Sequence, residues 1–461
     1  MNASPKQISL LKPVVETIPA DLLTPLAVYL KLSSNSTHSF LLESVEGGEN
    51  LARYSFIGTD PVQMIEGGHE AFAQLRGHLA ENFVLDDGEL PAFIGGAIGS
   101  IAFDACEMFE PSLAGTNMAG DLLSMMIYRS VIAFDHAQQK IKVITVATEQ
   151  EHDAAERRNA EIRSVLESDK NVSLARIEPS GSQVAESNQT RESFESAVNK
   201  IKEHIRAGDC YQAVCSQRFT RKTDASPIAI YRALRSLNPS PYMFLMQTGE
   251  RSVIGASPEM LVRCVDRKLE YRPIAGTRRR GATPSEDAQL ALEMKADVKE
   301  VSEHLMLVDL GRNDLGRVSE YGSVKVDSLM AVEKYSHVQH LVSSLSSRLS
   351  TGKDMFDAFA ACFPAGTVSG APKVRAIEII RELEPTPRGI YAGAIGYFDY
   401  RGNMDTCISI RTLVLENGVA TIQAGAGIVA DSNAASEFEE TINKAKGLMR
   451  AIDLAETGEL G

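Results

Sequence analysis

Two clusters of glutamates have the spacing that could bind a cation. Glu300, Glu303 and His304 stand at i, i+3 and i+4 of a predicted helix, so their side chains share one face. The mostly apolar residues 305–310 indicate that this helix then enters the interior, where a charged group needs a partner or a metal. Taken alone, the cluster is also typical of a solvated helix face.

The second cluster lies on the last predicted helix. Glu437, Glu440 and Lys444 stand at i, i+3 and i+7, opposite an apolar stripe, and alone they too are typical of a solvated face. If the two helices meet, their carboxylates offer the hard oxygen ligands that Mg2+ prefers beside an anionic substrate.

Two runs of small residues could approach a ligand closely. The loop 366–373 precedes a predicted helix, whose free amides and dipole can bind a carboxylate or phosphate, although the loop is equally consistent with a tight turn. The run 424–428 follows a strand but lacks the full GxGxxG pattern and a βαβ unit, which argues against a dinucleotide site.

Several cationic or titratable side chains stand apart from these clusters. Arg278, Arg279 and Arg280 occupy a glycine-bounded segment, which indicates a solvated loop or a flap over an anionic pocket. Arg411 lies in a predicted strand, where a buried arginine usually pairs with a carboxylate of protein or ligand. His340 is either a satisfied structural histidine or a catalyst.

The composition is that of a soluble globular protein. The chain has 461 residues, of which 44% are hydrophobic and 23% charged, with a net charge of −14. That charge and the absence of interleaved aromatics near the arginines exclude a nucleic-acid role. Six scattered cysteines without a CxxC pair predict neither disulfides nor a zinc ribbon, and the lack of a signal peptide or membrane span predicts a cytoplasmic location.

The elements that must position these residues fall into two regions. Residues 1–168 are rich in short strands, including 38–44, 54–58 and a predicted hairpin of 123–134 with 140–146, followed by a helix over 151–168. Residues 169–189 are the predicted linker, and 190–461 form the second region. Because the strands come in hairpin runs, the predicted class is α+β, with large antiparallel β-sheets flanked by helices.

In the second region, the sequence predicts strands over 211–220, 242–247, 253–256 and 261–271, then one long helix from about Pro284 with an apolar stripe from Leu290 to Val308. A meander of 394–400, 407–415 and 419–424 turns at Asn417-Gly418, and the final helix is predicted to begin at Ser436.

Six stretches, taken in order, resemble the chorismate-binding enzyme family, most closely its anthranilate-forming branch, over essentially the whole chain. They are PIAGTRRRG (273–281), EHLMLVDLGRND (303–314), GTVSGAPKVR (366–375), YAGAIGY (391–397), DTCISIRT (405–412) and the segment 423–444 that ends in EFEETINK.

The resemblance implies a ligand set and an active site. Mg2+ would bind Glu303 and Glu440 directly, with Glu300 and Glu437 close by. The substrate chorismate would meet the residues Gly276, Thr277, Tyr391, Arg411, Gly425, Gly427 and Lys444. The implied catalytic residues are Glu259 as general acid, His340 in pyruvate elimination, and Thr367. Some relatives have a lysine at the position of Ala275 or at a corresponding base position. An alanine cannot serve as base or nucleophile, so ammonia would attack the ring directly.

The resemblance also implies a tryptophan feedback site in which the inhibitor contacts residues of both regions. Its expected residues are Leu42, Glu43, Ser44, Pro239, Tyr242, Met243, Phe244 and Cys407. An ordinary inter-sheet core is the alternative for each residue singly.

No cysteine has the glycine-flanked setting of a glutaminase nucleophile, so ammonia is expected from a separate glutamine amidotransferase subunit, in a heterotetramer of two large and two small chains. Two other functions remain open: the sister activity that places ammonia at C4 to form aminodeoxychorismate, and a tryptophan-sensing protein without catalysis.

Overall fold

The computed structural model describes residues 8–44, 53–84, 90–113, 122–168, 184–335 and 338–458, so most of the predicted linker lies outside the described residues. In these ranges the chain forms 23 strands and ten α-helices. No helix among them is both long and apolar enough to cross a membrane.

The strands are β1 (Ser9–Pro19), β2 (His38–Glu43), β3 (Tyr54–Thr59), β4 (Gln63–Gly67), β5 (Asn82–Val84), β6 (Gly96–Ile101), β7 (Leu123–Tyr128), β8 (Ser130–Asp135), β9 (Lys140–Ala147), β10 (Glu186–Ser187), β11 (Gln212–Lys222), β12 (Tyr242–Thr248), β13 (Arg251–Ser257), β14 (Met260–Val265), β15 (Lys268–Tyr271), β16 (Ile274–Arg279), β17 (Lys325–Lys334), β18 (Val338–Arg348), β19 (Gly370–Ala371), β20 (Ala394–Asp399), β21 (Met404–Ile408), β22 (Thr412–Glu416) and β23 (Val419–Ile428). The helices are α1 (Pro25–Ser33), α2 (His69–Glu81), α3 (His152–Glu167), α4 (Arg191–Ala207), α5 (Pro227–Leu237), α6 (Pro284–Ala296), α7 (Val298–Gly316), α8 (Met355–Cys362), α9 (Lys373–Leu383) and α10 (Ala434–Thr457).

Two sheets organise the molecule, and the predicted α+β class is confirmed. The larger sheet has 13 strands in the order β10-β11-β23-β22-β13-β12-β2-β3-β8-β9-β1-β5, with β19 beside β11. The smaller sheet has ten, in the order β16-β18-β15-β14-β21-β20-β6-β7-β4, with β17 beside β18. Apart from the parallel pair β1–β5, neighbouring strands run antiparallel. Both sheets combine strands from the two regions, because β2 pairs with β12 and β6 with β20.

The main core lies between the sheets. Phe56 of β3 contacts Tyr397 of β20 at a ring-centroid distance of 5.9 Å, and Phe93 stacks on Tyr397 at 4.5 Å. A second core fills the space between the other face of the larger sheet and α1, α3, α5 and α10. The central strands of the larger sheet are nearly continuous apolar runs in the sequence because apolar side chains are buried on both faces of this sheet.

Three of the corners at which the chain leaves one sheet for the other bear on the sequence predictions or on the site, and two sequence predictions were wrong there. The run 123–134 is split at Arg129 into β7 and β8, which belong to different sheets, so only β8 pairs with β9. The run 407–415 is likewise split into β21 and β22, with Arg411 between them at φ 52° rather than in mid-strand. Glu259 occupies the third corner, between β13 and β14. Because apolar runs stand on both sides of Arg129 and of Arg411, periodicity alone does not show that the chain changes sheet there.

Other predicted elements need smaller corrections. The stretch 261–271 is the hairpin β14–β15. The long helix is two helices, because Asp297 caps α7 by accepting hydrogen bonds from the amides of Lys299 and Glu300. The final helix begins at Ala434 behind the cap Asn433, two residues before Ser436. The turn at Asn417-Gly418 is confirmed, and Gly208 ends α4 in a left-handed conformation.

Candidate active site

The structure brings eight of the predicted site residues around one cavity of about 170 Å³. They are Glu259, Glu303, Thr367, Tyr391, Arg411, Gly425, Gly427 and Lys444. The corners of both sheets, the glycine strand β23 and the helices α7 and α10 each supply part of the lining. Apolar side chains, among them Val214, Ile274 and Leu307, form most of the remaining wall.

Glu259 is the buried acid of this cavity. Its main chain forms the corner between β13 and β14, where the Ile408 amide donates to the Glu259 carbonyl at 3.0 Å. Burial raises the pKa of Glu259 to about 8, and Thr367, Arg411 and Lys444 moderate that rise. The carboxyl is therefore protonated at neutral pH and can donate a proton to a ligand.

Two cationic side chains face the acid. Within the described ranges, Arg411 has no carboxylate at ion-pair distance, and burial lowers the pKa of its guanidinium without neutralising it. Lys444 donates to the carbonyl of Gly425 at 2.9 Å and pairs with Glu440 at 2.6 Å. A buried arginine without a protein partner is suited to a ligand carboxylate.

The glycines of β23 leave the cavity open. A Cβ atom at Gly425 would lie 2.7 Å from the Tyr391 hydroxyl oxygen, and one at Gly427 would lie 2.6 Å from the Nε2 atom of Gln212. Either contact is too short for a side chain to fit without movement. Burial raises the pKa of Tyr391 to about 12, so its hydroxyl keeps its proton and can donate.

Gln212, at the start of β11, is a site residue that the sequence prediction missed. Its Nε2 atom donates to Glu303 at 3.4 Å, and its buried Oε1 atom has no partner among the described residues. The pairing of Val214 with Gly427 brings the start of β11 to the glycine strand. Strand pairing of this kind is not visible in the local sequence.

The Thr367 hydroxyl is also buried, and it is near enough to Glu259 to lower the pKa of that carboxyl. It belongs to the short 3-10 turn Gly366–Val368, which ends before β19 and α9. The predicted anion-binding helix start at 366–373 is thus a turn that presents a hydroxyl to the cavity, with α9 beginning only at Lys373.

His340, Gly276 and Thr277 lie outside this lining, on β18 and β16. The Nδ1 atom of His340 is 3.0 Å from the Gly276 carbonyl oxygen and 3.1 Å from the Thr277 hydroxyl. Thr277 lines an adjoining cleft of about 940 Å³, and Arg411 and Lys444 line both the cleft and the cavity. Burial lowers the pKa of His340, so the ring is neutral at pH 7.

The four predicted metal ligands are near the cavity but are not assembled into one cluster. Glu300 is paired with Arg278 at 3.0 Å and Glu440 with Lys444, while burial raises the pKa values of Glu303 and Glu437. Among the described residues, no three His, Cys, Asp or Glu side chains are close enough to hold a metal. The donor set itself consists of carboxylate oxygens, the hard ligands that Mg2+ requires.

A second cavity of about 100 Å³ lies between the sheets, and it gathers seven of the eight predicted inhibitor-site residues. They are Leu42, Glu43, Ser44, Tyr242, Met243, Phe244 and Cys407. The expected eighth, Pro239, is not in this lining, and Pro241 lines the cavity in its place. Strand β12 begins at Tyr242, which brings the nearer proline to the cavity.

Polar groups mark one end of the second cavity. The Ser44 hydroxyl is buried without a partner in the described ranges. The Glu43 carboxylate points away from the cavity, because it accepts from Tyr231 and pairs with Arg235 at 3.2 Å, both on α5 at the other face of the larger sheet. Tyr242 donates to Asp405 at 3.1 Å. An apolar cavity with a few convergent polar groups is the usual form of a small-molecule site.

Comparison with known proteins places this fold and site in a family. Residues 37–450 match the family described as chorismate binding enzyme. The chain is 45% identical to anthranilate synthase component 1 of Pseudomonas putida, over 95% of this chain and 94% of that protein. It is 43% identical to the component 1 of Aquifex aeolicus, over 97% of this chain and 96% of that protein.

Solved structures agree with the sequence comparison. Anthranilate synthase component I from Streptococcus pneumoniae superposes with a TM-score of 0.79 at 37% identity, covering 94% of this chain and 99% of that one. The isochorismate synthase MenF from Escherichia coli has the same fold, with a TM-score of 0.76 at 21% identity, over 97% and 95% of the two chains. This chain therefore belongs to the chorismate binding enzyme family, among the anthranilate synthase component I proteins.

Proposed function

We propose that the protein converts chorismate and ammonia to anthranilate, pyruvate and water in a reaction that depends on Mg2+. The observation that carries this proposal is the buried carboxyl of Glu259, with a pKa of about 8, in one cavity with Arg411 and Lys444. A protonated acid and two cations around one cavity suit the expulsion of a hydroxyl from a dicarboxylate.

In the first step, a C–N bond forms at ring C2, the double bonds shift, and the C4 hydroxyl leaves as water with the proton of Glu259. Arg411 and the Tyr391 hydroxyl would hold the enolpyruvyl carboxylate against β23, where Gly425 and Gly427 leave room. Ala275 offers no amine to compete as a base or nucleophile, which supports direct attack by ammonia.

In the second step, the C2 proton and the enolpyruvyl group leave, and the ring becomes aromatic. A carbonyl oxygen only accepts hydrogen bonds, so the Nδ1 atom of His340 carries the proton that it donates to Gly276. The Nε2 atom of the neutral ring is then the acceptor that would assist this elimination.

Mg2+ would be held by Glu303 and Glu440, with Glu300 and Glu437 beside them, and would withdraw electron density through the ring carboxylate. The raised pKa values of Glu303 and Glu437 support this assignment, because buried carboxyls gain most from a cation.

Ammonia would come from a glutamine amidotransferase subunit, in a heterotetramer of two large and two small chains in the cytoplasm. L-Tryptophan would inhibit by binding the second cavity, with Ser44 and nearby backbone groups at its amino-acid end and Leu42 and Phe244 beside the indole. The Ser44 hydroxyl, which is buried without a hydrogen-bond partner among the described residues, supports a ligand at that position.

The alternative function is amination at C4, which retains the enolpyruvyl group. Chromatography of the products from chorismate, MgCl2 and an ammonium salt separates the two. Anthranilate with pyruvate supports the proposal. Aminodeoxychorismate or isochorismate would overturn it in favour of a sister activity, and tryptophan binding without chorismate consumption would leave only the sensing role.

A further inference from the structure

A buried ion pair lies behind the wall of the active-site cavity. The side chains of Glu384, just after α9, and Arg388 are 5% and 2% exposed, and their closest atoms are 2.7 Å apart. Two hydrogen bonds join them, from Nε and Nη2 of Arg388 to the two carboxylate oxygens. Neither side chain lines the cavity.

The remaining donors of Arg388 go to the main chain of cavity residues. Its Nη1 atom donates to the carbonyl of Val368 at 2.7 Å, and Nη2 donates to the carbonyl of Val214 at 2.9 Å. Val368 follows Thr367 in the 3-10 turn, and Val214 lies on β11 opposite Gly427. The guanidinium therefore holds two separate parts of the wall at a fixed distance.

The carboxylate of Glu384 fixes a third part of the wall. It accepts from the Ser216 amide at 2.8 Å and from the Ser216 hydroxyl at 2.7 Å. That hydroxyl in turn accepts from Gln423, which lines the cavity, at 2.9 Å. In addition, the guanidinium carbon of Arg388 lies 5.5 Å from the ring centre of Tyr391.

We propose that Glu384 and Arg388 are a positioning pair, which sets the geometry of the chorismate site through Val214, Val368 and Ser216 without touching the substrate. The inference rests on the proposed function, because it concerns the same cavity. A planar guanidinium suits this task, since its donors diverge in a rigid fork that a lysine lacks. The pair thus has a role beyond the stability of the fold.

The test compares two double variants. Replacing a buried ion pair by apolar side chains of similar volume is often neutral for stability, so E384L/R388M is expected to fold. The matched control is R221M/E456L, which removes an equally buried pair with side-chain exposures of 3% and 2%. Arg221 lies on the same strand, β11, but outside the cavity lining.

Chorismate consumption, followed by chromatography, gives KM and kcat whichever product forms. We expect the KM for chorismate to rise about tenfold or more in E384L/R388M, because small displacements of a binding wall have large effects. R221M/E456L should keep the wild-type KM. R388K, which retains the charge but not the fork, should fall between wild type and the double variant.

A merely structural role would lower the folded fraction and hence the apparent kcat of both double variants, with KM unchanged. That outcome, or an equal rise in KM for the control pair, overturns the proposal. If E384L/R388M does not fold, R388K decides: a wild-type KM in R388K overturns the proposal and a raised KM supports it. Failure of the proposed function is distinct, because it appears in the wild-type product analysis.

Discussion

The Nδ1 atom of His340 lies 3.0 Å from the main-chain carbonyl oxygen of Gly276, one strand away. Since the carbonyl can only accept, this contact fixes the tautomer and leaves Nε2 as the basic atom of a neutral ring. The hydrogen bond also joins β18 to the segment that carries Thr277, which borders the cleft beside Arg411.

Replacing His340 by Asn should separate the two steps. The Asn amide can keep the donor to Gly276 but supplies no base, so elimination should slow by about 100-fold, in the range usual for a lost acid–base group. Chromatography should then show an aminated intermediate that still carries the enolpyruvyl group. The exposed His152 provides the control H152N, which should match wild type. Equal loss of both steps in H340N would contradict the role in elimination.

The acid Glu259 should define the alkaline limb of the pH profile. Its pKa is raised to about 8, so the required protonated form is present at pH 7 and lost above pH 8. With rates corrected for the concentration of free ammonia, kcat/KM for chorismate should fall through this range. E259Q should be slower than wild type by about 100-fold or more. Its kcat/KM should not fall through this pH range.

The same pKa predicts a change in stability. Because the pKa of Glu259 is higher in the folded than in the unfolded chain, the free energy of unfolding should fall as pH rises from the ordinary carboxyl pKa of 4.5 to about 8, and should level off above that. E259Q lacks this component, so denaturant titrations at pH 5 and pH 8 should show a smaller loss than in wild type. An identical pH dependence in both proteins would place the titration elsewhere.

Glutamate 303 should control the response to Mg2+. E303Q removes one negative charge next to Gln212, so half-maximal activity should require at least about tenfold more MgCl2, the change expected for a lost ligand interaction. The control E439Q alters an exposed glutamate of α10 that pairs with Arg191. If E303Q and wild type titrate alike, Glu303 is not a ligand.

Glycine 427 should be needed for substrate binding. A methyl group there would lie 2.6 Å from Gln212 Nε2 and displace that side chain and its contact with Glu303, so G427A should raise the KM for chorismate about tenfold. At Gly316, by contrast, a Cβ atom meets nothing within 4 Å, and G316A should leave the kinetics unchanged. A wild-type KM in G427A would show that the cavity tolerates the methyl group.

Serine 44 should decide feedback inhibition. The S44R side chain would occupy the second cavity, so tryptophan should no longer inhibit, while the basal rate stays close to wild type. Inhibition curves and calorimetric titration with tryptophan measure this directly. The control S34R lies on an exposed position after α1. Unchanged inhibition in S44R would remove Ser44 from the inhibitor site.

The sequence predicted best where a local rule applies. The turn at Asn417-Gly418 follows from backbone preferences and is confirmed. The α+β class is confirmed as well, because hairpin-like strand spacing survives in both sheets.

Long-range pairing explains what the sequence could not predict. The corner at Arg411 and the approach of Gln212 to Gly427 both depend on which strands lie side by side. The pattern of apolar residues in the sequence does not show which strands pair. The sequence also predicted the buried face of α7 imprecisely. His304, predicted on the face of the glutamates, is fully buried, whereas the apolar Leu305 is 42% exposed. The break at Asp297 rotates α7 relative to a single long helix.

The most direct test of the central claim uses the purified chain alone, with chorismate, MgCl2 and an ammonium salt of heavy nitrogen at about pH 8.5, a pH that supplies free ammonia. We predict anthranilate that carries the heavy nitrogen, together with pyruvate, and no product after chelation of the metal. Chorismate that is left unchanged, or that is consumed to a product without the label, would contradict the account.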